Sequence, residues 1–335
     1  MKLLYLGNQL SKHGFNKTTI ETLGLQLEQE GFIVYFASDK KSFSLRMLDM
    51  MRSVICYRKQ VSYILIDTYS TKAFWYALVC SQLARVLNIK YIPILHGGDL
   101  PNRLKNNPKL CRMVFANAYQ NVAPSGYLKK AFENVGFKNV IHIPNSIEID
   151  KYEFKSREKL TPKLLWVRAF ASIYNPEMAI KVLFELQRKY PNTTLTMVGP
   201  DKDGSLQTTK AFADSLGISV TFTGQLSKED WWELASEHDI FINTTHFDNT
   251  PISVMEAMAL GLPVVSTNVG GIPYLLTDNE NALLVNDNDV VAMTNSICYL
   301  LENQGKTKEL TSNARTFIAQ MDWNVVKEGW KQVLR

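Results

Sequence analysis

Apolar positions along this chain fall into two alternating kinds of run. KLLYLG, FIVYFA, VSYILID and KYIPILH are short stretches of six or seven residues with little polar interruption. Runs of that length, bounded by polar or glycine-containing segments, predict buried strands. Between them, about 18–30, 44–59 and 72–88 carry the spacing of amphipathic helices. The alternation predicts a parallel sheet covered by helices on both faces. The rhythm weakens near 145–162, where PNSIEIDKYEFKSREKLTPK is polar and charged, then resumes with LLWVR, TLTMVG, VTFTG and DIFIN. We therefore expect two α/β domains, 1–158 and 159–318, and a terminal segment, 319–335. In that segment Trp323, Val326, Trp330 and Val333 form one apolar stripe, which must dock somewhere; the first domain is one destination.

Length and composition agree with two domains. A chain of 335 residues is too long for one ordinary α/β core, and 46% hydrophobic with 21% charged content is globular. No stretch approaches the roughly 18 apolar residues of a membrane span. The start, MKLLYLGNQL, is basic then apolar, but the run is short and SKHGFNK is no small-residue cleavage site, so a first buried strand is expected. Cys56, Cys80, Cys111 and Cys298 have no metal-ligand or redox spacing, which fits a reduced cytoplasmic protein.

Charge changes the picture more. Residues 1–160 hold 23 Lys+Arg against 12 Asp+Glu, whereas the rest of the chain is net acidic within a total of +5. A basic front half suits anionic partners: phosphorylated substrates, anionic lipid or nucleic acid. Aromatic residues do not interleave with the basic ones, so nucleic acid is not expected. In the helix at 44–59, Leu45, Leu48, Met51 and Ile55 share a face, and Arg46, Arg52, Arg58 and Lys59 add positive charge. Two readings stand: a sheet-covering helix with solvated basic residues, or peripheral contact with an anionic membrane.

The densest chemistry lies in DIFINTTHFDNTPISVMEAMALGLPVVSTNVGGIPYLL, residues 239–276. A strand runs into a polar loop, and a helix is expected from about Pro251, since proline suits a first helical turn. The free N–H groups of Ile252 and Ser253, with the helix dipole, would make an anion site suited to a diphosphate. Asp248 precedes the helix and Glu256 follows one turn in. Two carboxylates beside a phosphate-binding helix start make sense if one accepts hydrogen bonds from ribose hydroxyls and the other from sugar hydroxyls. Gly270-Gly271 then offers backbone for close approach.

This stretch resembles the signature of the retaining glycosyltransferases of family 4, also called glycosyl transferases group 1. Their pattern is an acid, seven residues, Glu, then Ala-Met-Ala-x-Gly-x-Pro-Val-Val and a Gly-Gly loop; here it reads D-NTPISVM-E-AMALGLPVV-STNV-GG. The resemblance implies the GT-B fold: an α/β chain of two Rossmann-like doubly wound domains facing a central cleft, the second holding the nucleotide-sugar and the first the acceptor. It implies a retaining, hexosyltransferase-type transfer from a UDP- or GDP-sugar to a saccharide or lipid-linked acceptor, as in bacterial cell-surface polysaccharide or glycolipid synthesis, in the cytoplasm or at the inner membrane face. Asp248 stands where that family usually has Glu, one methylene longer. Its implied role is to grip donor-sugar hydroxyls, and that of Glu256 to hold the ribose.

Three further positions follow from the resemblance. Arg168, ending LLWVR, matches an arginine that clamps the diphosphate; the lysine usual a few residues later is absent from AFASIYNPEMA. His96, in ILHGGDLP, matches a histidine near the reacting sugar. Gly14, in GNQLSKHGFNKTTIETL, matches a glycine in the first loop, where Lys12, His13 and Lys17 suit a phosphorylated acceptor or simply solvent. Catalytic work is thus expected of His96, Arg168 and Asp248. Donor binding is expected of Gly14, Arg168, Leu226 (at the base), Asp248, Pro251, Ile252, Ser253 and Glu256. No metal or other cofactor is expected, because Asp201-Lys202-Asp203 sits in a turn and Arg168 with a helix start can stabilise the leaving diphosphate. Two other classes remain open on the sequence: an epimerase or hydrolase on the same fold, and a non-catalytic basic binding protein. The first loop is not GxGxxG, so a nicotinamide enzyme is not supported.

Overall fold

The short apolar runs become the strands of two six-stranded sheets, entirely parallel in their pairing. The computed structural model describes residues 1–14 and 17–335. Its contacts divide the chain into a first unit, Met1–Asn145 with Trp323–Arg335, and a second, Ser146–Asp322.

The first unit contains β1 (Lys2–Leu6), α1 (Thr19–Gln29), β2 (Ile33–Ala37), α2 (Phe43–Tyr57), β3 (Tyr63–Thr68), α3 (Phe74–Val86) and β4 (Lys90–Leu95). It continues with α4 (Leu100–Asn106), α5 (Pro108–Phe115), β5 (Asn121–Ala123), α6 (Gly126–Asn134) and β6 (Val140–His142). Strand order is β2-β1-β3-β4-β5-β6. All six residues of β3 are buried, as a central strand covered on both faces requires. The order reverses between β1 and β3, and in open parallel sheets ligands bind beyond the carboxyl ends of strands at such a reversal.

The second unit holds β7 (Lys163–Val167), α7 (Pro176–Lys189), β8 (Thr194–Val198), α8 (Ser205–Ser215), β9 (Thr221–Gly224), α9 (Lys228–Ser236) and β10 (Ile240–Asn243). Then come α10 (Ile252–Ala259), β11 (Val264–Thr267), β12 (Leu283–Val285), α11 (Val290–Glu302) and α12 (Gln304–Ala319). Its order is β12-β11-β10-β7-β8-β9, with the reversal between β7 and β10.

The units divide at Asn145/Ser146 and not at the composition change placed at 158/159. The polar stretch misleads because its key side chains point inward: Tyr152 is 5% exposed and Arg157 9%. The Arg157 guanidinium donates to the carbonyls of Ala235, His238, Leu260 and Gly261 at 2.9–3.3 Å, capping the C-termini of α9 and α10. Burial pulls its pKa down to about 10, with Asp239 opposing. The last helix, α13 (Trp323–Val333), belongs to the first unit. Its stripe packs with Leu3, Leu65 and Ile92, and Lys327 and Lys331 pair with Glu30 at 3.1 and 2.7 Å.

α2 shows the opposite arrangement. Its buried side is Arg46, Met50 and Val54, while Leu45, Leu48 and Ile55 are 58%, 61% and 43% exposed. α2 thus covers the sheet through Met50 and Val54, and the Leu/Ile stripe is the face it leaves outward. Arg46 is not a solvated cation: it donates to the carbonyls of Lys40 and Lys41 and to Asn8 Oδ1.

Candidate active site

At the reversal of the second sheet, β7 ends at Val167 and delivers Arg168. Its backbone is held by an N–H to Val198 O at 3.0 Å, and the Gly199 backbone crosses so closely that a Cβ there would lie 1.8 Å from Arg168 O. The guanidinium lies 4.3 Å from the ring centre of Tyr174 and forms an ion pair with Asp248. Its Nε is buried with no partner among the described residues. Burial lowers the pKa of Arg168, and Tyr174 counters. Tyr174 falls in the stretch where the clamp lysine was sought, so an aromatic face, not a second cation, accompanies the arginine there. Thr244 fixes that loop by donating to the carbonyl of Asn175 at 2.9 Å while accepting from Trp166 Nε1 at 3.0 Å.

Asp248 sits in the loop between β10 and α10. Its Oδ1 accepts from Asn249 N at 2.8 Å, and its carbonyl accepts from Gly271 N at 2.7 Å. A Cβ on Gly270 would lie 2.4 Å from Asp248 O, and one on Gly271 2.0 Å from Asn249 O. The glycine pair thus lets backbone approach this loop, whereas the sequence had it approaching a ligand.

Pro251 is the capping residue of α10, with extended backbone (φ −69°, ψ 116°), and Ile252 is the first helical residue; the boundary lies one position later than the proline suggested. The first intrahelical donors are Val254 N and Met255 N, each to Pro251 O at 3.2 Å. Among the described residues the N–H groups of Ile252 and Ser253 have no protein acceptor, and Ser253 Oγ is buried without a partner. Free donors at a helix N-terminus, with a guanidinium in the same unit, are the arrangement by which helix starts can take an anion.

Glu256 is 3% exposed. Its Oε1 accepts from Tyr152 Oη at 2.9 Å and Lys228 Nζ at 2.7 Å. Burial raises its pKa, and Lys228 and then Tyr152 oppose the rise. Sequence reasoning missed both partners. Tyr152 lies in the polar stretch 145–162 where the strand and helix rhythm weakens. Lys228 opens α9 behind the capping residue Ser227, whose Oγ accepts from Asp230 N at 3.1 Å, so the Ser-x-x-Asp pattern was the available signal. Leu226, half-buried in the preceding loop, packs against the same core as Tyr152 and α10. The carboxylates of Asp201 and Asp203 accept from Gly204 N and Ser205 N, closing the turn before α8.

The remaining expected residues lie in the first unit. Gly14, with φ 82°, ends a short turn at Ser11–His13 and has open space where a Cβ would stand; Phe15 and Asn16 of that loop lie outside the described residues. His96 follows β4, and its Nε2 is 2.8 Å from Asp67 Oδ1.

Residues 148–317 match the family described as Glycosyl transferases group 1. A glycogen synthase of Mycobacterium tuberculosis is 23% identical over 59% of this chain and 49% of its own length, so the chain spans about half of that relative. An uncharacterized glycosyltransferase of Haemophilus influenzae is 25% identical over 98% of this chain and 94% of its own. Among solved structures, HepE of Anabaena in complex with UDP superposes with a TM-score of 0.78 at 19% identity, covering 100% of this chain and 99% of HepE. That likeness agrees with the two doubly wound parallel sheets: the fold is GT-B.

Proposed function

The chain belongs to the glycosyl transferases group 1 family, and from that premise we propose that it moves a sugar from a nucleoside diphosphate sugar to a hydroxyl of a saccharide or lipid-linked saccharide, with retention at the anomeric carbon. The observation that carries this reading is the α10 N-terminus: unpaired N–H groups on Ile252 and Ser253, with Arg168 arriving from the adjacent strand at the sheet reversal. These donors stabilise the leaving diphosphate without a metal ion. On binding, Arg168 exchanges Asp248 for phosphate oxygens, and Asp248 is released to the sugar hydroxyls. Glu256 accepts from the ribose, with Tyr152 and Lys228 holding its carboxylate; the loop carrying Leu226 meets the base. His96 hydrogen-bonds the reacting sugar, and the Gly14 loop serves the acceptor side. The leaving phosphate takes the acceptor's proton, so no separate general base is needed.

The exposed stripe of α2 supports a second feature of the reading. Leu45, Leu48 and Ile55 stand outward together with exposed Arg52 and Lys59, the composition of a surface that rests on anionic lipid. No helix among the described residues is long and apolar enough to cross a membrane.

A thermal-shift screen against UDP-, GDP- and ADP-sugars tests the donor, starting with UDP-sugars because HepE was solved with UDP. No stabilisation by any of them would remove the donor reading. Donor consumed at full rate without acceptor would replace transfer by hydrolysis or epimerisation, and an inverted product anomer in the NMR spectrum would remove retention. Equal co-sedimentation with neutral and anionic vesicles would remove the lipid contact.

A further inference from the structure

The first sheet has its own reversal, between β1 and β3, and a carboxylate is buried there. Asp67, next to last in β3, has a fully buried side chain. Two donors converge on its Oδ1: Tyr5 Oη from β1 at 2.9 Å, and His96 Nε2 from the end of β4 at 2.8 Å. Oδ2 is buried with no partner among the described residues, beside the backbone of Gly7, where a Cβ would lie 2.5 Å away. A buried carboxylate with one bare oxygen is costly and calls for a physical reason.

The surroundings hold the imidazole still. His96 N donates to Thr68 O at 2.9 Å. The following residue, Gly97, approaches Ser70 so closely that a Cβ would lie 2.4 Å from Ser70 N. The ring of Tyr69 stands 5.5 Å from that of His96, centre to centre. Tyr5 and Tyr69 both have their pKa pushed well up, by burial first and then by the Asp67 charge, so both face the site as neutral phenols.

We propose that Asp67 is a positioning residue for His96. Oδ1 already accepts from the Tyr5 hydroxyl, so it serves as acceptor to Nε2 as well, and the tautomer that donates through Nε2 presents Nδ1 as a lone pair. Nδ1 has no protein partner among the described residues. His96 therefore meets its ligand as an acceptor, receiving a hydrogen bond from a hydroxyl of the bound sugar. The carboxylate fixes both the tautomer and the angle of the ring, and offsets positive charge if the ring takes up a proton. This rests on the reading of His96 as the residue that meets the donor sugar, but the state of the ring can be measured without any donor.

The test has two arms. In the first, the full chain is labelled with 15N-histidine and its five imidazoles are observed by two-bond 1H–15N correlation, with His96 assigned from the spectrum of His96→Gln. The Nε2–H tautomer is expected near neutral pH, and Asp67→Asn should shift it toward Nδ1–H. A Nδ1–H tautomer of His96 in the unsubstituted chain overturns the proposal, whether or not Asp67→Asn folds. The second arm is kinetic. Asp67→Asn should lower kcat by about a hundredfold or more, with the donor KM changed less than about threefold. In a His96→Ala background the same substitution should cost nothing further, because its effect runs through the missing ring. Additive losses, or an unchanged kcat, would mean that Asp67 serves folding alone. A wild-type chain inactive with every nucleotide-sugar would instead remove the transferase reading and leave the tautomer result standing.

Discussion

Each sheet presents an acid close to its topological reversal, and the two are held in opposite ways. Asp67 lies inside β3, fully buried, with Tyr5 and His96 brought to it from the two neighbouring strands. Asp248 lies in a loop, its side chain 14% exposed, paired with Arg168. The strand-borne acid has a fixed geometry, because its partners come from elements that cannot move independently. The loop-borne acid has a cationic partner that a phosphate can replace. The first arrangement suits orientation of another residue; the second suits exchange on ligand binding. Glu256 combines both: it is buried, yet one of its two partners, Lys228, has a side chain 59% exposed.

The sharpest way to break the comparison is Arg168→Ala. It removes the exchangeable cation and leaves Asp248 and the helix N-terminus in place. Turnover should fall by about 10²–10³-fold, the cost of losing one preorganised donor to developing charge. A near-normal kcat would mean that the phosphates are served from elsewhere.

Next is Gly271→Ala, which tests whether the Asp248 loop depends on close backbone approach. A methyl group 2.0 Å from Asn249 O cannot be accommodated without moving the loop. A loss of about 1–3 kcal/mol in chemical denaturation is expected, with weaker donor binding. Unchanged stability would mean that the loop relaxes freely.

Glu256→Gln should weaken nucleotide binding by about tenfold, measured by calorimetry, as expected for a lost hydrogen bond to a charged acceptor. It should also change how stability varies with pH. Burial raises the folded-state pKa of Glu256 above the ordinary 4.5, so the folded chain binds more protons than the unfolded chain in that window. Wild-type stability from this group is present below the ordinary value and is lost as pH rises through the folded one. Gln cannot ionise, so the variant's melting temperature relative to wild type should increase between pH 4 and pH 7. A difference that stays flat over that range would mean Lys228 and Tyr152 fully offset the burial.

The smallest effect is expected from Asp248→Glu. The charge is kept and the loop is partly open, so kcat should stay within about threefold of wild type, a change of less than 1 kcal/mol. A complete loss would show that this position is shaped around the shorter acid.

What could be read from the residues in order was whatever depends on local period. Short apolar runs alternating with helical spacing specify parallel sheets, because a strand covered on both faces needs no polar side. The helix start of α10 was legible for the same reason: proline, the following N–H groups and Glu256 lie within six residues of one another. The family pattern added names for the roles. The outward face of α2 was not legible. A helix with apolar residues on more than one side does not say which side meets the sheet, and Arg46 went inward because the carbonyls of Lys40 and Lys41 awaited it. Segment 145–162 read as the approach to a domain boundary because polarity marks surface on average, while Tyr152 and Arg157 are buried by hydrogen bonds to residues about 80 to 100 positions away. Asp67 was invisible as a partner of His96 for a related reason. One acid in a buried strand carries no periodic signal, and only the pairing of β1, β3 and β4 brings Tyr5, Asp67 and His96 to a single oxygen. By itself the sequence determined the two sheets and the helix start with its free N–H groups, since these arise from neighbours in the chain. Tertiary structure alone decided which charges are buried and what they touch, since those contacts exist only once distant strands have paired.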